Sequence, residues 1–482
     1  MSENKPYGAS MTGRPSDETH AERTPFAALL ALAALQACTG DFQVADASVE
    51  PDAARESDAA SEADASGDAP ADQRAVLPDA AAEDESIPLE PGRIDVTCTR
   101  PWHDLPDPLP ADCIGRRRRV FSVEDLNGPE SVAFLGKVSV AVQGSGPPVF
   151  AFQNIVSIEA STVHLRRLER ETLTLGGRAD VPNDVELLGE SMEIAAEGDT
   201  VHLAYWLRGP GTGDAVVYRR WLPDGLLTDG EFVSTNVSGF GSVSLAVSGN
   251  DVSFGYHDFI AGTHRLRFRE AGGTFSDPIL LLEEEPSSTA SVRSIAVGRI
   301  GRTTHVALRR RDSATRFTPL YRQYIGFLSS FNTIDNVTQS RASGLQLDLA
   351  ARGDTAAVAY HDWNDGTVEL RVATGLELTD QEVSVLETTS SEEVPLQTKI
   401  AIAYDDAGRL NVVAWTPSRV TTVVCYFREP TRPGGTRWLS DIVEILPPGR
   451  MVESLDLAMG PNRQPHIVYT TGSTLTYATI EP

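Results

Sequence analysis

A short apolar strand ending in a large side chain recurs seven times in this chain, and that recurrence constrains the fold more than any other feature. The copies are "PVFAF" ending at Phe152, "VHLAY" at Tyr205, "VSFGY" at Tyr256, "HVAL" at Leu308, "AAVAY" at Tyr360, "NVVAW" at Trp415 and "PHIVY" at Tyr469. Their spacings are 53, 51, 52, 52, 55 and 54 residues, too constant for chance. Each copy keeps one internal order. An alternating strand precedes it ("MEIAA", "VSLAV", "LQLDLA", "TKIAIAY"), a third follows ("AVVYRRW", "RLRFRE", "VELRVA", "VVCYFRE"), and a weaker fourth closes the unit ("EFVSTN", "PILLLEE", "QEVSVLE", "DIVEIL"). Period-two runs of β-branched and aromatic residues, bounded by Gly, Asp, Asn and Pro, are the mark of short antiparallel strands. Four such strands in each unit make the blade of a propeller, so the pattern predicts an all-β, seven-bladed β-propeller of four-stranded antiparallel blades over residues 118–482.

The two ends of the repeat complement each other. The last unit stops at "LTYATIEP" without a fourth strand, while a strand-like piece, "RRVFSVEDL" (118–126), stands unassigned ahead of the first. Pairing the two would close the ring and remove the exposed edges that are the liability of an open sheet. Between the first and second strand of each unit stand turn residues: "EGD" (197–199), "SGND" (248–251), "RGD" (352–354) and "DDAG" (405–408). Gly, Asn and Asp are what a tight hairpin demands, so Arg352-Gly353-Asp354 reads as a turn and not as an adhesion motif. The basic run Arg116 to Arg119 reads as solvated charge beside the closing strand.

Ahead of the repeats the composition changes. "PFAALLALAALQACTG" (25–40) is apolar but too short to cross roughly 30 Å of hydrocarbon, and Arg14 and Arg23 precede it, the layout of a secretory signal peptide. From Val44 to Gly92 there are 14 acidic residues against Arg55 and Arg74, with no aromatic, which accounts for 12 of the chain's 27 net negative charges. Such a stretch cannot bury enough apolar surface to offset chain entropy, and its self-repulsion predicts a disordered, extended tether. The acidic balance excludes nucleic acid as a partner, because phosphate binding needs a basic surface. In an exported chain, Cys98 and Cys113, which enclose the Pro-rich "CTRPWHDLPDPLPADC", are expected to be bridged, and Cys425 in "TTVVCYF" is expected to be a buried free thiol.

Leu35-Gln36-Ala37-Cys38 resembles the lipobox of bacterial lipoproteins, although Gln36 stands where that pattern prefers a small residue. Over about residues 116 to 482 the repeats are similar to those of bacterial secreted β-propeller lipoproteins. The resemblance implies a signal peptide over 1–37, a lipid on Cys38 as the mature N-terminus, a tether over 38–92, a Pro-rich segment over 93–117 and the propeller beyond. It also implies a place in the cell envelope: Thr39 follows the cysteine instead of Asp, which points to the outer membrane, with the propeller periplasmic or surface-exposed. The Gly-His and Trp-Asp pairs of WD40 repeats do not recur, nor do Kelch's Gly-Gly doublets, and the sialidase box Ser-x-Asp-x-Gly-x-Thr-Trp is missing.

Two stretches invite a catalytic reading: "GYHDFIAG" (255–262) and "AYHDWNDG" (359–366). They stand 104 residues apart, which is two blades, and at the radius of a second strand that predicts a separation on the order of 15 to 20 Å from strand spacings of about 4.8 Å. They therefore read as blade packing and turn caps and not as one shared site. The loops after second strands would nevertheless carry Trp206, His257, Asp258, Phe259, His361, Asp362 and Trp363 onto one face, a mixture suited to sugars or protein loops. No P-loop, Gly-x-Ser-x-Gly elbow, His-Glu-x-x-His or Cys-x-x-Cys occurs, so no pattern points to a catalytic residue, a cofactor or a metal. The reading is a non-enzymatic, monomeric, lipid-anchored module that binds a protein or glycan. The alternative is a carbohydrate hydrolase or lyase whose carboxylates and arginines project from innermost strands and top loops.

Overall fold

The structure, a computed structural model, describes residues 121–125 and, some connecting segments aside, 135–480. The signal peptide, tether and Pro-rich segment expected over 1–117, and with them Cys38, Cys98 and Cys113, lie outside the described residues. Twenty-eight strands, β1 to β28 in chain order, form seven antiparallel four-stranded sheets among the described residues. Blade one is β2 to β5 (135–180), blade two β6 to β9 (192–237), blade three β10 to β13 (241–283) and blade four β14 to β17 (295–333). Blade five is β18 to β21 (347–390), blade six β22 to β25 (399–446), and blade seven joins β26, β27 and β28 (454–480) to β1 (Phe121–Asp125).

Closure follows the sequence expectation. The outermost strand of blade seven comes from the other end of the chain: β1 pairs with β28 from Phe121 opposite Ile480 to Asp125 opposite Thr476. The first strands of successive blades touch one another around the ring, and β26 touches β2 to complete it. The molecule is thus a closed seven-bladed β-propeller.

Its core is distributed. Buried apolar side chains fall into seven clusters, each between two neighbouring blades. Tyr205, Tyr256, Leu308, Tyr360 and Tyr469 are buried in the cluster each shares with the preceding blade, which explains the period, while Trp415 is buried on the other side of its sheet, in the cluster between blades six and seven. Hairpin turns repeat as well. Gly353, the centre of the Arg-Gly-Asp triplet, has φ +58°, a backbone conformation that favours glycine there.

Polar residues of the first strands knit the ring together. Asp456 of blade seven accepts hydrogen bonds from the Ser139 hydroxyl (2.7 Å) and the Val140 amide (2.9 Å) of blade one, and the Ser139 hydroxyl in turn accepts from the Ile194 amide of blade two (3.2 Å). Ser191 bonds Val243 (2.6 Å), Ser244 bonds Val297 (2.9 Å), and Asp348 bonds Ile402 (2.9 Å). Each of these contacts spans one blade step.

One sequence expectation fails within a blade. Cys425, on the third strand of blade six, is disulfide-bonded and not a free thiol, and no other cysteine lies among the described residues. An apolar strand pattern reports that a side chain is buried and carries no information about a partner distant in sequence.

Candidate functional site at the loop end of the blades

Second strands run toward the end of the ring where they turn into third strands; there β11 (Asp251–Asp258) ends with Tyr-His-Asp, and β19 (Thr355–Asn364) carries the same three residues just before its last two. Alternation of side chains sends tyrosine and histidine to opposite sides of the sheet. Tyr256 packs in the cluster between blades two and three, and Tyr360 in that between four and five. His257 shares the face of Gly255, where an added Cβ would meet Val297 of blade four at 2.5 Å, so the imidazole sits at the seam of blades three and four. His361 shares the face of Ala357 and Ala359, which pack toward blade six.

All five described members of the expected binding face are buried. Trp206 is 0 % exposed and its ring lies against Gly241 of the next blade, where a Cβ would come within 2.2 Å of the indole, so it wedges blades two and three. Asp258 caps its turn, accepting from the Ala261 amide at 3.0 Å. Asp362 faces the Arg371 guanidinium at 3.3 Å, and Arg371 also holds Glu369 at 2.8 Å. Burial alone would lower the Arg371 pKa, but the two carboxylates hold it above the ordinary arginine value. His361 is pushed down to about 3 by burial. Phe259 lies outside the described residues, and of Trp363 the structure describes the backbone, paired with Val368.

Around His257 the structure brings together groups that the repeat pattern did not single out. The ring of His264, at the start of β12 (Thr263–Arg269), is in register opposite His257 and stacks on it with centroids 3.6 Å apart and planes 11° from parallel. Glu284, which directly follows β13 (Ile279–Glu283), accepts a hydrogen bond from the Arg311 amide of blade four at 2.6 Å. Burial, with His264 and Arg309 adding to it, holds the His257 pKa well below the ordinary imidazole value. Arg309, itself buried, is pushed down to about 10 by that burial, against the pull of Glu284. His264 was open to detection from hairpin pairing. Glu284 was not, because its approach depends on where the fourth strand ends.

A second feature stands at the head of the first strands. Glu453 directly precedes β26 (Ser454–Met459), and its carboxyl is pushed up to about 7 because burial outweighs the Gly472 amide and the Lys399 charge, which both pull it down. A carboxyl half-protonated near neutral pH can give or take a proton.

No family model matches the chain, and no curated protein matches its sequence. Solved structures of similar architecture include a protein of unknown function from Dyadobacter fermentans, 10% identical, over 76% of this chain and 98% of that one, with a TM-score of 0.41. A Trypanosoma rangeli sialidase in complex with the inhibitor DANA is 9% identical over 74% of this chain and 59% of its own, with a TM-score of 0.40. The N-terminal domain of Nup159 is 10% identical over 75% and 96%, also at 0.40. Likenesses this distant carry no functional weight.

Proposed function

We propose that the chain is a lipid-anchored binding or scaffold propeller of the cell envelope, attached to the outer membrane through Cys38 and offering its loop end to a protein or glycan. The observation that carries this reading is how the inner polar groups are used. Asp348 and Asp456 are bonded to backbone amides of the next blade, where a hydrolase would hold such carboxylates over the channel for substrate. A ring closed by the pairing of β1 with β28 and tied laterally by hydrogen bonds is a rigid support, and loops on rigid supports are where binding residues gather. Glu453 favours the second reading, a carbohydrate hydrolase or lyase, because a carboxyl near 7 beside Lys399 is suited to proton transfer.

A glycan array and a pull-down with residues 93–482 would identify a ligand, and Phe259→Ala with Trp363→Ala should then weaken binding by about tenfold or more, as loss of aromatic anchors does. Unchanged affinity would remove those loops from the interface. Turnover of a captured glycan, abolished by Glu453→Gln, would replace the binding reading with the enzymatic one. Palmitate labelling that persists in Cys38→Ala would overturn the anchor.

A further inference from the structure

The geometry points to a transition-metal site at the seam of blades three and four, in which His257, His264 and Glu284 hold one zinc-like divalent ion. One ligand atom from each of the three residues lies within 4.8 Å of the others. Two imidazole nitrogens and one carboxylate oxygen form a donor set that suits zinc, while calcium and magnesium prefer oxygen throughout. The three residues come from separate pieces of blade three: the end of the second strand, the start of the third and the exit of the fourth.

Their backbone positions are set before any ion arrives. His257 and His264 are register partners across β11 and β12. The Glu284 amide donates to the Gly262 carbonyl at 2.7 Å, and one carboxylate oxygen is held by the Arg311 amide. That outer contact orients the carboxylate. Stacked rings cannot both aim an in-plane lone pair at one ion, so loading must splay the pair. Ligand atoms around a tetrahedral ion with bonds of about 2.0 to 2.1 Å sit about 3.3 Å apart, so loading draws together atoms that now lie within 4.8 Å of one another. Three protein ligands leave a fourth position on the side of Glu284, which is partly exposed. Arg309 adds positive charge nearby, which Glu284 offsets and which favours an anionic fourth ligand such as hydroxide or a carboxylate. The ion would lock the exit of blade three to its own loop end and, through Arg311, to blade four.

Untagged, oxidised full-length protein, stripped with chelator, provides the test. Calorimetric titration should give one zinc per chain, tighter than about micromolar, with neither calcium nor magnesium competing. Cobalt should produce visible bands of tetrahedral intensity that zinc abolishes. His264→Gln and Glu284→Gln should each weaken binding by at least about 100-fold, the upper end of what loss of an outer contact alone does. Zinc heats that are absent, or that both variants leave unchanged, would overturn the site. If His264→Gln does not fold, the wild-type cobalt spectrum decides: octahedral, weak bands reject the assignment and tetrahedral bands sustain it.

Discussion

His202, His305 and His466 occupy the same place in their blades, near the start of the second strand, and each pairs through Nδ1 with a tyrosine hydroxyl of the third. The partners are Tyr218 at 2.7 Å, Tyr321 at 2.6 Å and Tyr477 at 2.7 Å. In blade six Asn411 takes the position and accepts from Tyr426 at 2.5 Å. Burial pushes His202 down from 6.5 to about 4 and His361 to about 3, and it lowers His257 and His305 as well. These residues are neutral in the folded chain, whereas the unfolded chain takes up protons near 6.5. Their stabilisation is therefore complete above that pH and is lost as pH falls toward the folded values, by about 1.4 kcal/mol per pH unit for each histidine. Glu453, raised from 4.5 to about 7, has the opposite sign: its contribution is full below 4.5 and fades as pH rises through 7. Urea unfolding should show a midpoint that drops steeply from pH 6.5 to 4, with a shallower drop in His361→Gln. A midpoint independent of pH over that range would show that these histidines are not buried neutral. The sequence showed histidines next to the wedge residues, but not their burial, because the end of a strand and the start of a loop read alike in a period-two pattern.

At the scale of the element, strands have their places because neighbouring blades share buried wedges, and five of the seven blades reach the next through a polar tie. The wedges recur as large side chains, so strand order and blade number were legible from seven anchors. The ties were not, since Ser139, Ser191, Ser244, Asp348 and Asp456 vary in type and are recognised by the amide they reach. The closing strand was legible for a different reason: one end of the repeat lacked a strand and the other had one to spare. All five residues of β1, Phe121 to Asp125, pair with β28, covering its edge from Ile480 back to Thr476. Replacing residues 121–125 with Gly and Ser would leave that edge able to pair with another chain. Size-exclusion chromatography with light scattering should then report a larger mass for the variant than for the parent. An unchanged mass with an unchanged thermal midpoint would mean that blade seven does not depend on β1.

At the scale of the whole molecule, the proposed anchor depends on which cysteines pair. The chain has four cysteines, and Cys425 is disulfide-bonded, so its partner is one of Cys38, Cys98 and Cys113. A lipid on Cys38 and a Cys98 to Cys113 bridge therefore cannot both hold: one of the two expectations yields to Cys425. A bond to Cys38 would remove the anchor and pin the start of the acidic tether to blade six. A bond to Cys98 or Cys113 would leave residues 38–92 free between lipid and propeller, with a root-mean-square reach on the order of 40 Å before charge repulsion extends it further. The second arrangement keeps a use for a stretch that carries 12 net negative charges and no aromatic, and a covalent clamp just ahead of the propeller would restrain the chain where it enters β1. Peptide mapping without reduction should accordingly find the Cys425 peptide joined to one that contains Cys98 or Cys113, with the remaining one of those two cysteines open to alkylation. A peptide joining Cys425 to Cys38 would instead rule out the lipid anchor, and with it the attachment of this propeller to a membrane through its N-terminus.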